Sequence, residues 1–125
     1  MPQYFLTLPH DTAEEATMAS MQEMDPAELQ ALMAAVEKLN NDLVAAEALV
    51  LAGGLHPPST AITVDATGET PTHTRAPFVE ASEYVGGFWI INADDEAAAV
   101  SWAEQASAAV GSRVEVRALQ EEPDA

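Results

Sequence analysis

Cysteine is absent from this chain of 125 residues, and basic residues are scarce, with 4 Lys and Arg against 21 Asp and Glu. Without cysteine there is no disulfide, no thiol nucleophile and no thiolate metal site, which suits a reducing compartment. The formal net charge of −17 repels phosphate backbones and anionic lipid. We therefore expect neither nucleic acid nor a membrane surface as a partner.

Long apolar runs are also lacking. Residues 1–8 contain no basic segment followed by an apolar run, so no secretory signal is predicted. The longest nearly apolar stretch, residues 43–55, is broken by Glu47 and two glycines and is too short to span a membrane. These features predict a cytoplasmic protein, and the length predicts a single domain over residues 1–125.

The strongest helix signal begins at Asp25. Asp25, Pro26 and Glu28 have the spacing of an N-cap, a first helical proline and an acidic third residue. Apolar residues then recur at spacings of three and four and predict one amphipathic stripe: Leu29, Leu32, Met33, Val36, Leu39, Leu43 and Val44. The pattern places the end of this helix between residues 46 and 53, without separating it from the strand that follows.

Strands are predicted over residues 4–8, 62–65, 88–93 and 114–116, the last extending to 118 if Ala118 belongs to it. Residues 70–74 suit a strand that pairs with 62–65 in a hairpin, with its turn around 67–69. Asp94 or Asp95 caps a second helix, whose apolar members include Ala98, Val100, Trp102, Ala103 and Ala106, and Gly111 ends it. This order predicts an α+β, ferredoxin-like fold with both helices on one face of an antiparallel sheet. The other sheet face needs a cover, which favours a dimer over a ligand surface.

Several short motifs occur in one order: Ala-Gly-Gly-Leu-His-Pro-Pro-Ser-Thr-Ala at 52–61, Ala-Pro-Phe-Val-Glu at 76–80, Gly-Gly-Phe at 86–88 and Val-Glu-Val-Arg at 114–117. This series resembles the YCII-related family, in particular the branch named after an Asp-Gly-Pro-Phe (DGPF) motif. The resemblance implies a dimeric ferredoxin-like α/β barrel with one cleft per subunit. It also implies a functional link to extracytoplasmic-function sigma factors, and a few relatives act on small ring compounds with a His and Asp pair.

The chain departs from the family pattern at two places. Arg75 and Ala76 stand where the motif has Asp and Gly, while Pro77 and Phe78 remain. The first helix contains no histidine where the enzyme-like members carry theirs, and Glu37 falls near that position. The resemblance therefore does not carry the His–Asp pair over to this chain.

Histidine chemistry centres on His56. None of the three histidines has a ligating partner at a suitable spacing on its own element, so we predict no metal site. His56 lies in a rigid Gly-Gly-Leu-His-Pro-Pro segment near the cleft implied by the resemblance, and imidazole suits acid/base work. Either a catalytic or ligand-contacting His56 or an ordinary solvent-exposed histidine fits this pattern.

A second candidate cluster surrounds the Pro-Phe turn and consists of Arg75, Phe78, Glu80 and Glu83. Arg75 could bind a ligand carboxylate through two parallel hydrogen bonds, or form a structural ion pair with Glu80 or Glu83. The Gly-Gly pairs lack the spacing of a phosphate loop, and no cofactor is predicted.

The leading hypothesis is a homodimeric domain that binds a small molecule or a protein partner in a stress or signalling context. An alternative is an enzyme for a small carboxylate or aromatic compound, with His56 as acid/base, Arg75 as anion clamp and Glu80 or Glu83 as orienting group. A third is a recognition module for a sigma factor.

Overall fold

The computed structural model describes residues 2–10, 25–77 and 84–121. In chain order the elements are β1 (Gln3–His10), α1 (Pro26–Ala45), β2 (Leu49–Gly54), a 3-10 turn (Pro58–Thr60), β3 (Thr63–Asp65), β4 (Thr72–Thr74), β5 (Tyr84–Asn92), α2 (Glu96–Val110) and β6 (Glu115–Ala118). Neither of these helices is long and apolar enough to cross a membrane.

The main sheet has the strand order β2-β5-β1-β6, and each neighbouring pair is antiparallel. Strands β1 and β2 are joined through α1 and enclose β5, while β5 and β6 are joined through α2 and enclose β1. Two such interleaved βαβ units make the ferredoxin-like arrangement. The α+β prediction is confirmed, with two helices packed on an antiparallel sheet.

The core lies between the sheet and the helices. Because successive strand residues point to opposite faces, alternate residues of β1 and β5 enter this layer. The buried side chains come from all the packed elements: Tyr4, Leu6, Leu39, Leu43, Ala48, Trp89, Ile91, Ala93, Ala99, Ala103 and Ala106. On α2 the buried stripe is entirely alanine, and Val100, one of the apolar residues named for this helix, is 39% exposed.

Helix α1 begins as predicted. The Asp25 side chain accepts a hydrogen bond from the Ala27 backbone N–H at 3.0 Å, which satisfies one of the unpaired donors of the first turn. Leu39 and Leu43 are buried, but Met33 and Val44 are 63% and 61% exposed. The predicted stripe was too wide, because each of these two residues lies one position, or about 100°, beyond a stripe residue.

Both helices end through a left-handed residue. After α1, Glu47 has a φ of +58° and turns the chain into β2. This conformation usually requires glycine or asparagine, so a glutamate gave no sequence signal for the boundary. Helix α2 begins at Asp95, which accepts from the Ala98 N–H at 2.8 Å, and ends at Gly111, with a φ of +66°. The predicted cap and stop of α2 are both confirmed.

Strands β3 and β4 form a separate hairpin, as predicted. Its turn is held by Asp65, whose Oδ1 accepts from the Thr67 hydroxyl at 2.6 Å and from the Thr67 backbone N–H at 2.9 Å. Both hydrogen bonds lower the pKa of Asp65 below its usual value, and the bond from the Thr67 hydroxyl has the larger effect. The Thr63 hydroxyl donates to the Ala76 carbonyl at 2.7 Å, which joins the start of β3 to the segment that follows β4.

The sheet face opposite the helices is apolar. Phe5 pairs with Ile90, and Ile90 pairs with Leu51 on the other side. The Phe5 and Phe88 rings lie 5.6 Å apart between centroids. Phe5, Phe88 and Ile90 are half-buried, and Leu51 is 53% exposed. We call this surface, defined by Phe5, Leu51, Phe88 and Ile90, the open sheet face.

Candidate functional site

A cavity of about 400 Å³ lies between the helices and the ends of β2 and β5. It reaches the lower range of cavities that bind small molecules. Its lining consists of Leu8, Val36, Asn40, Ala52, Gly53, Gly54, Gly86, Gly87, Phe88, Trp89 and Val110. Four of these residues are glycines on paired strands, and we call the space the glycine cavity.

The glycines in the strands are not needed for backbone geometry. Among the described glycines, only Gly111 has a positive φ. A Cβ at Gly53 would lie 3.3 Å from the Phe88 ring, and one at Gly87 would lie 3.1 Å from Leu8 Cδ2, so close packing explains both. A Cβ at Gly54 would meet nothing within 4 Å. Neither conformation nor packing accounts for Gly54, which is the last residue of β2. Its missing side chain leaves room for a ligand to approach the strand closely.

The cavity is mostly apolar and has one side-chain amide. Asn40 Oδ1 accepts a hydrogen bond from the buried Trp89 Nε1–H at 2.9 Å. This bond satisfies the indole, which would otherwise be a buried donor without a partner. Within the described residues, Asn40 Nδ2 donates no hydrogen bond. Its NH₂ group is the available side-chain donor of the lining, and none of the described lining residues is titratable.

A second, polar cavity of about 300 Å³ lies at the end of the sheet. Its lining joins the end of β1, the beginning of β5 and the entry into β6: Thr7, Leu8, Pro9, Tyr84, Val85, Arg113, Val114 and Glu115. We call it the sheet-end pocket. Leu8 lines both cavities, so they lie next to each other along β1 and β5.

His56 and Arg75 lie outside both cavities. His56 is exposed in the loop between β2 and the 3-10 turn, and Arg75 is exposed directly after β4. Neither residue lines the glycine cavity or the sheet-end pocket. Each also has no hydrogen bond or ion pair to the described residues. A catalytic His56 and a ligand-binding Arg75 both stay predictions.

The other three predicted residues, Phe78, Glu80 and Glu83, lie outside the described residues. The ion pair predicted between Arg75 and one of these glutamates therefore also stays a prediction. Among residues 2–10, 25–77 and 84–121, no group of three His, Asp or Glu side chains is arranged to hold a metal ion.

Sequence reasoning missed the residues that give both cavities their polarity. Asn40 appeared only as one polar position of a helix, and Arg113 followed the end of α2 without a motif of its own. The Gly53-Gly54 and Gly86-Gly87 pairs were noticed, but only as poor phosphate loops. Their pairing across β2 and β5, with Gly54 opposite Gly87, is the signal that a strand alignment could have used.

A family model described as the YCII-related domain matches residues 5–122. The chain belongs to the YCII-related family. The family match confirms the resemblance carried by the ordered motifs, while the narrower DGPF branch stays a prediction. A comparison with curated proteins found no match to this YCII-related domain.

Proposed function

We propose that this YCII-related domain is a homodimeric small-molecule-binding domain whose ligand occupies the glycine cavity. The observation that carries the proposal is Gly54, since its missing side chain leaves space that neither backbone conformation nor packing demands. Strands normally favour β-branched residues over glycine. A molecule that occupies this space explains a glycine at such a position.

The lining indicates a small, uncharged and mostly apolar ligand with a hydrogen-bond acceptor. Apolar walls at Val36, Trp89 and Val110 favour an aromatic or alicyclic body. The NH₂ group of Asn40 favours a carbonyl or ether oxygen. A charged group would lose its hydration without a partner of opposite charge in the described lining, and the net charge of −17 further opposes an anion.

The same lining favours binding over acid/base catalysis. General acid/base work needs a titratable side chain within hydrogen-bond reach of the reacting group. None of the described residues around the glycine cavity can serve, and His56 is outside its lining. The enzyme hypothesis with His56 as acid/base would need this loop to approach a bound substrate.

The dimer is supported by the open sheet face and by the resemblance, which implies two sheets facing one another in a barrel. The apolar row from Leu51 through Ile90 to Phe5 ends at Arg117, which pairs with Phe5 across β1 and β6. Glu115 lies two positions before Arg117 on the same strand face. In the proposed dimer, a twofold axis through the open sheet face brings Arg117 of one subunit near Glu115 of the other, and these opposite charges attract each other.

The binding proposal is tested with acetophenone, a neutral aromatic ketone, as the probe. Gly54→Val places a branched side chain in the wall of the cavity, whereas Gly68→Val adds the same side chain at an exposed glycine whose Cβ also meets nothing within 4 Å. We expect acetophenone to raise the melting temperature of the wild-type protein and of Gly68→Val, but not of Gly54→Val. Equal responses of the two variants, or no response of the wild type at millimolar probe, would refute the proposal.

The dimer is tested by sedimentation velocity at micromolar concentration. Ile90→Asp places a charge in the middle of the open sheet face, and Val100→Asp places one on an exposed part of α2. We expect the wild type and Val100→Asp to sediment as dimers and Ile90→Asp as a folded monomer. A wild-type monomer would contradict the dimer, and a dimeric Ile90→Asp would place the interface elsewhere.

A stress or signalling role and a link to a sigma factor rest on the resemblance alone. Co-purification of the sigma factor with the wild-type protein would support the recognition-module hypothesis.

A further inference from the structure

We propose that Trp89 makes the glycine cavity selective for ligands that end in a hydrogen-bond acceptor, because it holds the Asn40 amide in one orientation. Asn40 determines the specificity, and Trp89 is a positioning residue that acts through it. The inference rests on the proposed function, since it assumes a ligand in the glycine cavity. It adds that the site rejects hydrogen-bond donors of the same shape and that one substitution inverts this preference.

The Trp89 indole is held in place by the middle of the sheet. Trp89 pairs with Leu6 of β1 on one side and with Ala52 of β2 on the other, and it is only 5% exposed. An indole N–H can donate a hydrogen bond but cannot accept one. The group that faces it must therefore be an acceptor, because a buried donor without a partner is costly.

Asn40 meets this donor from helix α1. Leu39 and Leu43 are buried on either side of it and anchor this part of the helix in the core. The amide oxygen, Oδ1, accepts from Trp89 Nε1–H at 2.9 Å. A flipped amide would set its NH₂ donors against the indole N–H and break this bond. Trp89 therefore fixes which end of the amide faces the core and which end is left free.

The free end is the amide nitrogen. Asn40 lines the glycine cavity, as does Val36 one helical turn earlier, and Nδ2 donates to none of the described residues. In the part of the chain that the structure describes, every fully buried side-chain nitrogen or oxygen has a hydrogen-bond partner. Nδ2 has none there, so it is accessible. A ligand acceptor can take the place of solvent at Nδ2, whereas a ligand donor would leave two donors facing each other.

This arrangement sorts ligands that share one shape. A ketone presents only an acceptor to Nδ2, whereas an amidinium presents only donors. None of the described lining residues is charged or titratable, so no other side chain among them compensates an unpaired donor. The net charge of −17 attracts cations to the protein as a whole, which makes the selection against them a local property of this amide. The expected ligand class is carbonyl compounds rather than amines or amidines.

The test compares acetophenone with benzamidine by isothermal titration calorimetry at about pH 8, where benzamidine is a cation and an accessible carboxyl is ionised. The two probes have nearly the same shape. Acetophenone should bind the wild type at least about tenfold more tightly than benzamidine does. Asn40→Asp keeps an acceptor for Trp89 but replaces the free NH₂ by an oxygen, so benzamidine should bind this variant at least about tenfold more tightly than acetophenone. The control Asn41→Asp adds the same charge at an exposed neighbouring residue and should keep the wild-type order.

The outcomes separate this inference from the proposed function. If the wild type binds neither probe at millimolar concentration, the ligand site is refuted and the inference with it. If acetophenone binds the wild type but not Gly54→Val, and Asn40→Asp keeps the wild-type order, the site stands and the selectivity is overturned. A reversal in both Asn40→Asp and Asn41→Asp would show a general charge effect and would also overturn it.

Trp89→Phe tests the positioning role. It keeps an aromatic side chain but removes the N–H that holds the amide, so Asn40 can turn its oxygen toward the ligand. The preference for acetophenone over benzamidine should fall at least about threefold, whereas Trp102→Phe, on α2 outside the cavity lining, should leave it unchanged. Circular dichroism checks that each variant folds, and a purely structural role of Trp89 would not change this ratio. An unchanged ratio in folded Trp89→Phe would overturn the positioning role, and the Asn40→Asp comparison decides the selectivity even if Trp89→Phe does not fold.

Discussion

Replacing Gly54 by alanine should stabilise this domain, although it alters a residue that we assign to the binding site. The backbone at Gly54 is that of an ordinary strand, and the added methyl group meets no atom within 4 Å. Alanine restricts the unfolded chain more than glycine does, so the free energy of unfolding should rise by about 0.4–1 kcal/mol. For a chain of this size that corresponds to an increase in melting temperature of about 2–4 °C.

Gly111 supplies the contrast. It also has open space around its Cβ position, but its φ is +66°, where an L-residue is strained by about 1–2 kcal/mol. Gly111→Ala should therefore lower the free energy of unfolding by about 1 kcal/mol. Urea denaturation followed by circular dichroism measures both variants. A destabilised Gly54→Ala would show that Gly54 is required by the fold, and it would remove the main support for the binding proposal.

Two further predictions concern hydrogen bonds. Asn40→Leu leaves the buried indole N–H of Trp89 without its acceptor, so it should lower the free energy of unfolding, measured by urea titration, by about 1–3 kcal/mol. The control Asn41→Leu, at an exposed neighbouring residue, should change it by less than about 0.5 kcal/mol. Equal effects of the two substitutions would contradict this prediction. Thr67→Val removes the hydroxyl bond that depresses the pKa of Asp65, so the wild type should melt higher than this variant at neutral pH. A carboxyl with a depressed pKa stabilises the fold above its unfolded pKa and loses that effect as pH falls through its folded pKa. The difference in melting temperature between wild type and variant should therefore vanish in acid. A difference that stays constant with pH would refute the explanation.

The helices and the sheet were predictable because their patterns are local. The caps at Asp25 and Asp95 and the stop at Gly111 depend on a few adjacent residues, and the structure confirms all three. The end of α1 was not predictable, because the left-handed turn falls on Glu47 rather than on a glycine. The width of the apolar stripe on α1 was overestimated because residue spacing alone does not show which side of the helix meets the sheet.

The candidate site was much less predictable. His56 and Arg75 stood out because histidine and basic residues are rare in this chain, but rarity does not say what a side chain faces. Asn40 meets Trp89 across 49 positions of sequence, and Gly54 meets Gly87 only through strand pairing. Such contacts depend on the register of the sheet, which no single motif encodes.

The most direct test of the central claim is an NMR titration of ¹⁵N-labelled protein with acetophenone. Trp89 lines the glycine cavity, whereas Trp102 on α2 does not, so the two indole N–H signals give a site probe and an internal control. We predict saturable shifts of the Trp89 indole and of the Gly54 and Gly87 amides, with the Trp102 indole unmoved. Shifts of both indoles in equal measure, or of neither, would contradict a ligand site in the glycine cavity.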